Sequence, residues 1–111
     1  MTKYRAIRTM VDGIYFDSKR EANRYSELKM MEKAGIIASL KLQPEFKCMV
    51  NGKKVCTYKA DFEYLMVDEE GPQGQIGYYI VEDVKGFKTP VYRLKKKLVE
   101  ACYPGTVIKE I

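Results

Sequence analysis

Between Cys56 and Met66 the apolar residues Cys56, Tyr58, Ala60, Phe62, Tyr64 and Met66 alternate with polar ones. A strict period of two is a strand signature, because successive side chains point to opposite faces of a sheet. Sheet structure is therefore obligatory in this chain, with one face of the stretch packed on something. Asp61 falls on the other face, in mid-strand, where an aspartate is unfavourable unless it has a task. The plain alternative is a solvent-facing acid between Lys59 and Glu63.

The second fixed point is Val81-Glu82-Asp83-Val84-Lys85-Gly86, after Tyr78-Tyr79-Ile80. The apolar run predicts a buried central strand with its charges at the end. Residues two apart share a face, so Asp83 and Lys85 point the same way. Such a pair is costly unless paired, liganded or used, and the plain reading is a structural ion pair.

Around these strands the chain reads in order. Residues 1–8 form a basic arm. Thr9-Met10-Val11, Asp12-Gly13 and Ile14-Tyr15-Phe16 predict a hairpin with a two-residue type I′ turn. Ser18 and Glu21 have capping-box spacing and start a helix to about Ala34, ended by Gly35. Ala22, Tyr25, Leu28 and Met31 make its apolar stripe. Glu21 lies at the edge of that stripe: either it serves the capping box alone, or it aims a carboxylate into the domain. Ile36 to Leu42 predicts a strand stopped by Gln43-Pro44. Glu45–Val50 and Val55–Val67 predict a long hairpin around Asn51-Gly52-Lys53-Lys54. Residues 68–77 read as a loop. Pro90 opens a second helix to about Cys102, with Val91, Leu94, Leu98 and Cys102 inward and lysines outward. Thr106-Val107-Ile108 predicts a last strand. The sum is one domain over residues 1–111, a mixed α/β (α+β) fold with helices covering a mainly antiparallel sheet.

Composition narrows the chemistry. The 111 residues contain no histidine, which excludes Ser-His-Asp, Cys-His and His-ligated zinc chemistry. A metal here is a hard ion on carboxylates, Mg²⁺ or Mn²⁺. Cys48, Cys56 and Cys102 are odd in number without CxxC spacing, which predicts reduced thiols in a cytosol. No apolar run is long enough to cross a membrane and no signal-peptide segment opens the chain, so a cytoplasmic location is expected. The net charge is +5, with Lys3, Arg5 and Arg8 at the start and Lys85, Lys88, Arg93, Lys95, Lys96 and Lys97 clustered late. Such clusters favour a polyanion, the alternative being a solvated lysine-rich helix face.

Taken together, Glu21 on the first helix, Asp61 on one strand, and Asp83 and Lys85 on the next converge if the strands pair with Asp61 beside Asp83. Two or three carboxylates then make an oxygen site for Mg²⁺. A lysine beside it stabilises developing charge on a phosphorus centre. Glu82 replaces Asp83 as the inward acid if a bulge shifts the register.

At this point the chain resembles a known family. Ala60-Asp61 with Asp83-Val84-Lys85 resembles the signature of the PD-(D/E)XK nucleases, with Ala60 in place of the leading proline. The order Phe16-Asp17-Ser18-Lys19-Arg20-Glu21-Ala22, Leu42-Gln43-Pro44, Tyr58-Lys59-Ala60-Asp61-Phe62 and Val81 to Gly86 looks like that of small phage-encoded, resolvase-like proteins filed as a domain of unknown function. It is also similar to TnsA-type transposon endonucleases, and the likeness spans roughly residues 4–111. The resemblance implies a restriction-endonuclease-like core and a Mg²⁺- or Mn²⁺-dependent DNA endonuclease of phage or prophage origin. It implies Glu21, Asp61 and Asp83 as metal ligands and Lys85 as a catalytic lysine, with Gln43, Glu82 and Tyr92 around them. Lys88, Arg93, Lys95 and Lys96 are the expected DNA contacts, with Tyr92 as a further phosphate contact. A branched substrate such as a Holliday junction implies a homodimer working beside phage replication or recombination proteins in the bacterial cytoplasm. The alternative from another class is a non-catalytic nucleic-acid-binding adaptor that kept the fold.

Overall fold

The computed structural model describes residues 7–68, 76–84 and 88–111. Lys3, Arg5, most of the loop expected at 68–77, and Lys85 with Gly86 lie outside the described residues. The fold is mixed α/β, as the strand and helix periods require. Strands β1 (Thr9–Val11) and β2 (Ile14–Phe16) form the expected hairpin. Asp12 and Gly13 both take positive φ, 53° and 76°, as a type I′ turn demands. Helix α1 (Lys19–Lys33) follows, then β3 (Ile37–Leu42), β4 (Glu45–Val50), β5 (Lys53–Lys59), β6 (Phe62–Asp68), β7 (Ile76–Asp83), α2 (Pro90–Cys102) and β8 (Ile108–Glu110). The main sheet has the order β3-β6-β7-β8. All its pairs are antiparallel except β7 with β8, which is parallel. The last strand thus lies two residues later than the 106–108 expected.

The alternating stretch divides where the sequence predicted continuity. Residues 53–59 pair with β4 in a separate two-stranded sheet, while 62–68 pair with β3 and β7 in the main one. The chain leaves one sheet and enters the other at Ala60-Asp61. Apolar parity is preserved through the break, but the partner is not. Cys56, Tyr58 and Ala60 face the core under α2, whereas Phe62, Tyr64 and Met66 face the core under α1. Asp61 is therefore not a mid-strand acid but the residue at the junction. Lys53 and Lys54 belong to β5 and not to the turn, which is the two-residue Asn51-Gly52.

Strand β7 is covered on both sides at its C-terminal half. Ile80 and Val84 join the α1 core, and Val81 joins the α2 core. Val81, Glu82 and Asp83 are buried, as predicted, but Tyr78 and Tyr79 are exposed. Helix α1 buries Ala22, Tyr25 and Leu28, with Met31 partly covered, so its predicted stripe holds. Ser18 caps it, its Oγ accepting from the Glu21 amide at 3.1 Å. The Tyr25 hydroxyl donates to Asp12 Oδ2 at 3.0 Å and its ring lies 4.9 Å from that of Phe16. The β1–β2 hairpin is thereby fixed to the helix.

Helix α2 turns differently from the prediction. Tyr92 and Val99 are its buried residues, with Leu98 and Cys102 partly covered, while Val91 and Leu94 are exposed. The large Tyr92 ring sets the rotation: it packs 6.2 Å from Tyr58, and its hydroxyl donates to Glu110 Oε2 at 2.7 Å. The three cysteines, unrelated by spacing, meet beneath this helix. Cys48 and Cys56 face each other across β4 and β5, and Cys102 packs against them. All three are free thiols, and burial pushes the Cys48 thiol up to about 11.

The Ser18 cap gives a direct test of how α1 starts. Ser18→Ala lowers stability by about 1 kcal/mol, measured by urea denaturation, because the Glu21 amide loses its acceptor.

Candidate active site

The interruption between β5 and β6 at Asp61 builds the candidate site. The Asp61 amide donates to the Glu82 carbonyl at 3.1 Å, and its carbonyl accepts from the Gln43 amide at 2.9 Å. Its carboxylate Oδ2 accepts from the Val84 amide at 2.7 Å. Asp61 thus closes the gap between β6 and the end of β7 with its side chain. It lies alongside the Asp83 segment, as the strand pairing led one to expect. Gln43 enters from the end of β3 with φ 51°, a left-handed conformation uncommon for a residue that is not glycine. Backbone held this way clusters at functional positions.

Across from Asp61 stands Glu21, in the first turn of α1 and 7% exposed. Glu21, Gln43 and Asp61 line one cleft of 170 Å³ together with Ile14, Tyr15, Phe16 and Leu42. The Glu21 carboxyl faces the Asp61 carboxylate in this cleft, close enough for the two like charges to repel. Glu21 is pushed up to about 7, by burial first and then by the negative charges of Asp61 and Asp17. A backbone hydrogen bond at Asp17 opposes this shift. The capping-box and inward-carboxylate readings of Glu21 are thus compatible: its amide serves the cap while its carboxyl faces Asp61.

The adjacent acids of β7 part ways, because alternate residues of a strand face opposite sides. Glu82 turns toward α1, fully buried, and is gripped by Arg24. Nε of Arg24 donates to Oε1 at 2.8 Å and Nη2 to Oε2 at 2.6 Å. The Tyr64 hydroxyl donates to the same Oε2. The hydrogen bonds to Glu82 raise the Arg24 pKa above its ordinary value, and burial raises that of Tyr64. Glu82 is a structural acid here, and its partner Arg24 lies one turn of α1 beyond Glu21. Asp83 turns toward α2, fully buried, and accepts from the Tyr58 hydroxyl. The expected convergence of Glu21, Asp61 and Asp83 is accordingly reduced to the first two. Among the described residues no group of three His, Cys, Asp or Glu side chains is placed to hold a metal. The Glu21–Asp61 pair still fits a hard divalent ion, which takes one or two carboxylates and completes its shell with water.

The basic residues of α2 lie over the opposite face of the sheet. Lys88 and Lys96 pair with Glu110 at 3.2 and 3.7 Å, and Arg93 is exposed. Lys95 lines an open cleft of 350 Å³ with Lys59, Thr57 and Thr89. Tyr92, expected as a phosphate contact, is buried with its hydroxyl on Glu110, which it holds below the usual carboxylate pKa. Sequence reasoning missed Arg24 and Tyr15. For Arg24 the available signal was its place one turn after Glu21 on the inward edge of α1. Lys85 lies outside the described residues.

The family described as "Protein of unknown function (DUF1064)" matches residues 1–110. No curated protein and no solved structure matches the chain.

The geometry fixes two outcomes for stability. Arg24→Met strands the buried Glu82 charge and costs about 3–5 kcal/mol in denaturant titration, whereas Arg24→Met with Glu82→Gln recovers more than half of the loss. Glu21 has its folded pKa raised from 4.5 to about 7, so its contribution to stability is complete below 4.5 and is lost as pH rises through 7. Glu21→Gln therefore raises the thermal midpoint at pH above about 7 and flattens the loss of stability across that window, as followed by circular dichroism.

Proposed function

The chain belongs to the DUF1064 family, and we propose that it is a divalent-metal-dependent DNA endonuclease that hydrolyses phosphodiester bonds. The observation that carries this reading is the Glu21 and Asp61 carboxyls lining one cleft at the end of the central strands. Two acids held together in this way repel, and a cation relieves that repulsion. Glu21 and Asp61 would hold Mg²⁺ or Mn²⁺, which would supply Lewis acidity toward a phosphate oxygen and activate a water. Glu21 serves as a ligand in this reading, its negative charge favoured by the cation. Asp61 is oriented by the Val84 amide, and Gln43 lines the same cleft. Lys85, two residues beyond Asp83, retains the role that the acid-x-lysine resemblance gives it, stabilising charge on the transferred phosphorus. Of the expected DNA contacts Arg93 is exposed and Lys95 lines the open cleft with Lys59, while Lys88 and Lys96 reach DNA only by leaving Glu110. A branched DNA cut symmetrically needs two copies, hence a homodimer, and the setting is phage replication or recombination in the bacterial cytoplasm.

A second reading is favoured by one observation. Asp83 is buried with Oδ2 on the Tyr58 hydroxyl and is not among the residues that line the Glu21–Asp61 cleft. A nucleic-acid-binding adaptor with the nuclease fold has this look.

Cleavage of a labelled four-way junction and of supercoiled plasmid, with Mg²⁺ and with EDTA, separates the two. The enzyme reading expects cuts only with Mg²⁺. It also expects a loss of at least roughly 10² in rate for Asp61→Asn, Glu21→Gln and Lys85→Ala, the scale of a lost charge stabiliser. DNA retained by the wild type but never cut, with Mg²⁺ or Mn²⁺, establishes the adaptor instead.

A further inference from the structure

The β1–β2 hairpin carries a feature that neither the core nor the acid pair uses. Its inward residues are Val11, Ile14 and Phe16, all packed on the α1 core. Its outward face holds Met10 and Tyr15, paired directly across the strands and 50% and 56% exposed. Alternation would place polar residues there. The Arg8 guanidinium lies 4.6 Å from the centroid of the Tyr15 ring, a cation over an aromatic face. Tyr15 also lines the cleft of Glu21, Gln43 and Asp61. The hairpin is held by the Tyr25–Asp12 hydrogen bond and the Phe16–Tyr25 contact, so the ring is presented from a fixed support.

We propose that Tyr15, flanked by Met10 and Arg8, is a stacking platform for one unpaired nucleobase of a nucleic acid whose backbone enters the Glu21–Asp61 cleft. The proposal rests on the nucleic-acid reading above and adds the class of substrate. A flat ring with a guanidinium over one face matches the two parts of a nucleotide. A base stacks on the ring as Arg8 swings from it to meet the phosphate. Bases inside a duplex have their faces occupied by their neighbours. Only an unstacked base, at a single strand, flap or branch point, can take the platform. The substrate selected is DNA unpaired at the position to be cut, and the selection is by structure and not by sequence.

The test uses the whole chain without added metal, so that binding is read apart from cleavage. A fluorescein-labelled single-stranded oligonucleotide and the matching blunt duplex are titrated by anisotropy, and a 2-aminopurine version reports stacking. The wild type is expected to prefer the single strand and quench 2-aminopurine. Tyr15→Phe keeps both properties. Tyr15→Leu loses the quench and weakens binding on the order of tenfold. The chain has no tryptophan, so Tyr15→Trp gives a lone indole, excited selectively over the tyrosines, whose fluorescence must fall as the single strand is added. This variant keeps an aromatic ring and decides the matter if Tyr15→Leu does not fold. Preference for the duplex, equal binding by Tyr15→Leu, or unchanged Tyr15→Trp emission overturns the platform. So does a Tyr15→Leu variant that differs only in sedimentation, which would assign the face to a second copy of the chain. Quenching and binding without any cleavage under Mg²⁺ removes the endonuclease reading and leaves the platform standing. Cleavage with full single-strand binding by Tyr15→Leu does the reverse.

Discussion

The buried grip of Arg24 on Glu82 is the interaction on which the geometry of the candidate site depends. Glu82 is fully enclosed, and a lone carboxylate there would carry a desolvation cost of several kcal/mol. Arg24 answers it with a two-point contact whose planar fork fixes direction as well as distance. Tyr64 adds a third donor from β6. Helix α1 is thereby bolted to the middle strand of the sheet at one register. Glu21, one turn earlier on the same helix, is then held over the end of that strand, where Asp61 meets it. A buried pair of this kind adds little net stability over an apolar replacement, but it sets which residues face each other.

The second constraint is the crossing of the chain between sheets at Ala60-Asp61. A strand that ends inside a domain leaves amides and carbonyls in need of partners. Asp61 supplies three of them, through its amide, its carbonyl and its carboxylate. The same side chain that repairs the backbone is thus the one available to the cleft. This double use sets the two acids apart. Asp61 has an amide on its carboxylate, whereas Glu21 is raised by burial and by the two acids near it.

The charge layout also has a consequence for how a polyanion would approach. The lysines of α2 lie over one face of the sheet and the acid cleft opens beside α1, with the β1–β2 hairpin at its rim. Glu110 gathers Lys88, Lys96 and the Tyr92 hydroxyl, which draws part of the basic cluster into the structure of α2 and β8. The positive charge that this cluster offers to solvent is therefore less than its count of lysines suggests.

Much of the fold was legible because it is written in local periods and turn chemistry. Asp12-Gly13 made a type I′ turn, Ser18 capped α1, Pro90 opened α2, and the stripe of Ala22, Tyr25 and Leu28 went inward. Glu21 and Asp61 were both legible as acids out of place, one at the edge of an apolar stripe and one in an alternating strand. What period two could not reveal was that one apolar parity serves two cores, since parity says which side a residue faces and not what lies there. Nor could it say which of Glu82 and Asp83 would meet a partner. The sequence put them on opposite faces, but only the arrival of Arg24 and Tyr64 on one face and Tyr58 on the other decided their fates. The rotation of α2 was likewise settled by the fit of the Tyr92 ring beside Tyr58, against a stripe of Val91 and Leu94 that pointed elsewhere. The meeting of Cys48, Cys56 and Cys102 had no trace in their spacing. Local sequence determined the elements, because backbone sterics and hydrogen bonding act over a few residues. Tertiary structure decided the companions of each polar side chain, because a buried charge takes whichever partner the packing of distant segments brings within reach.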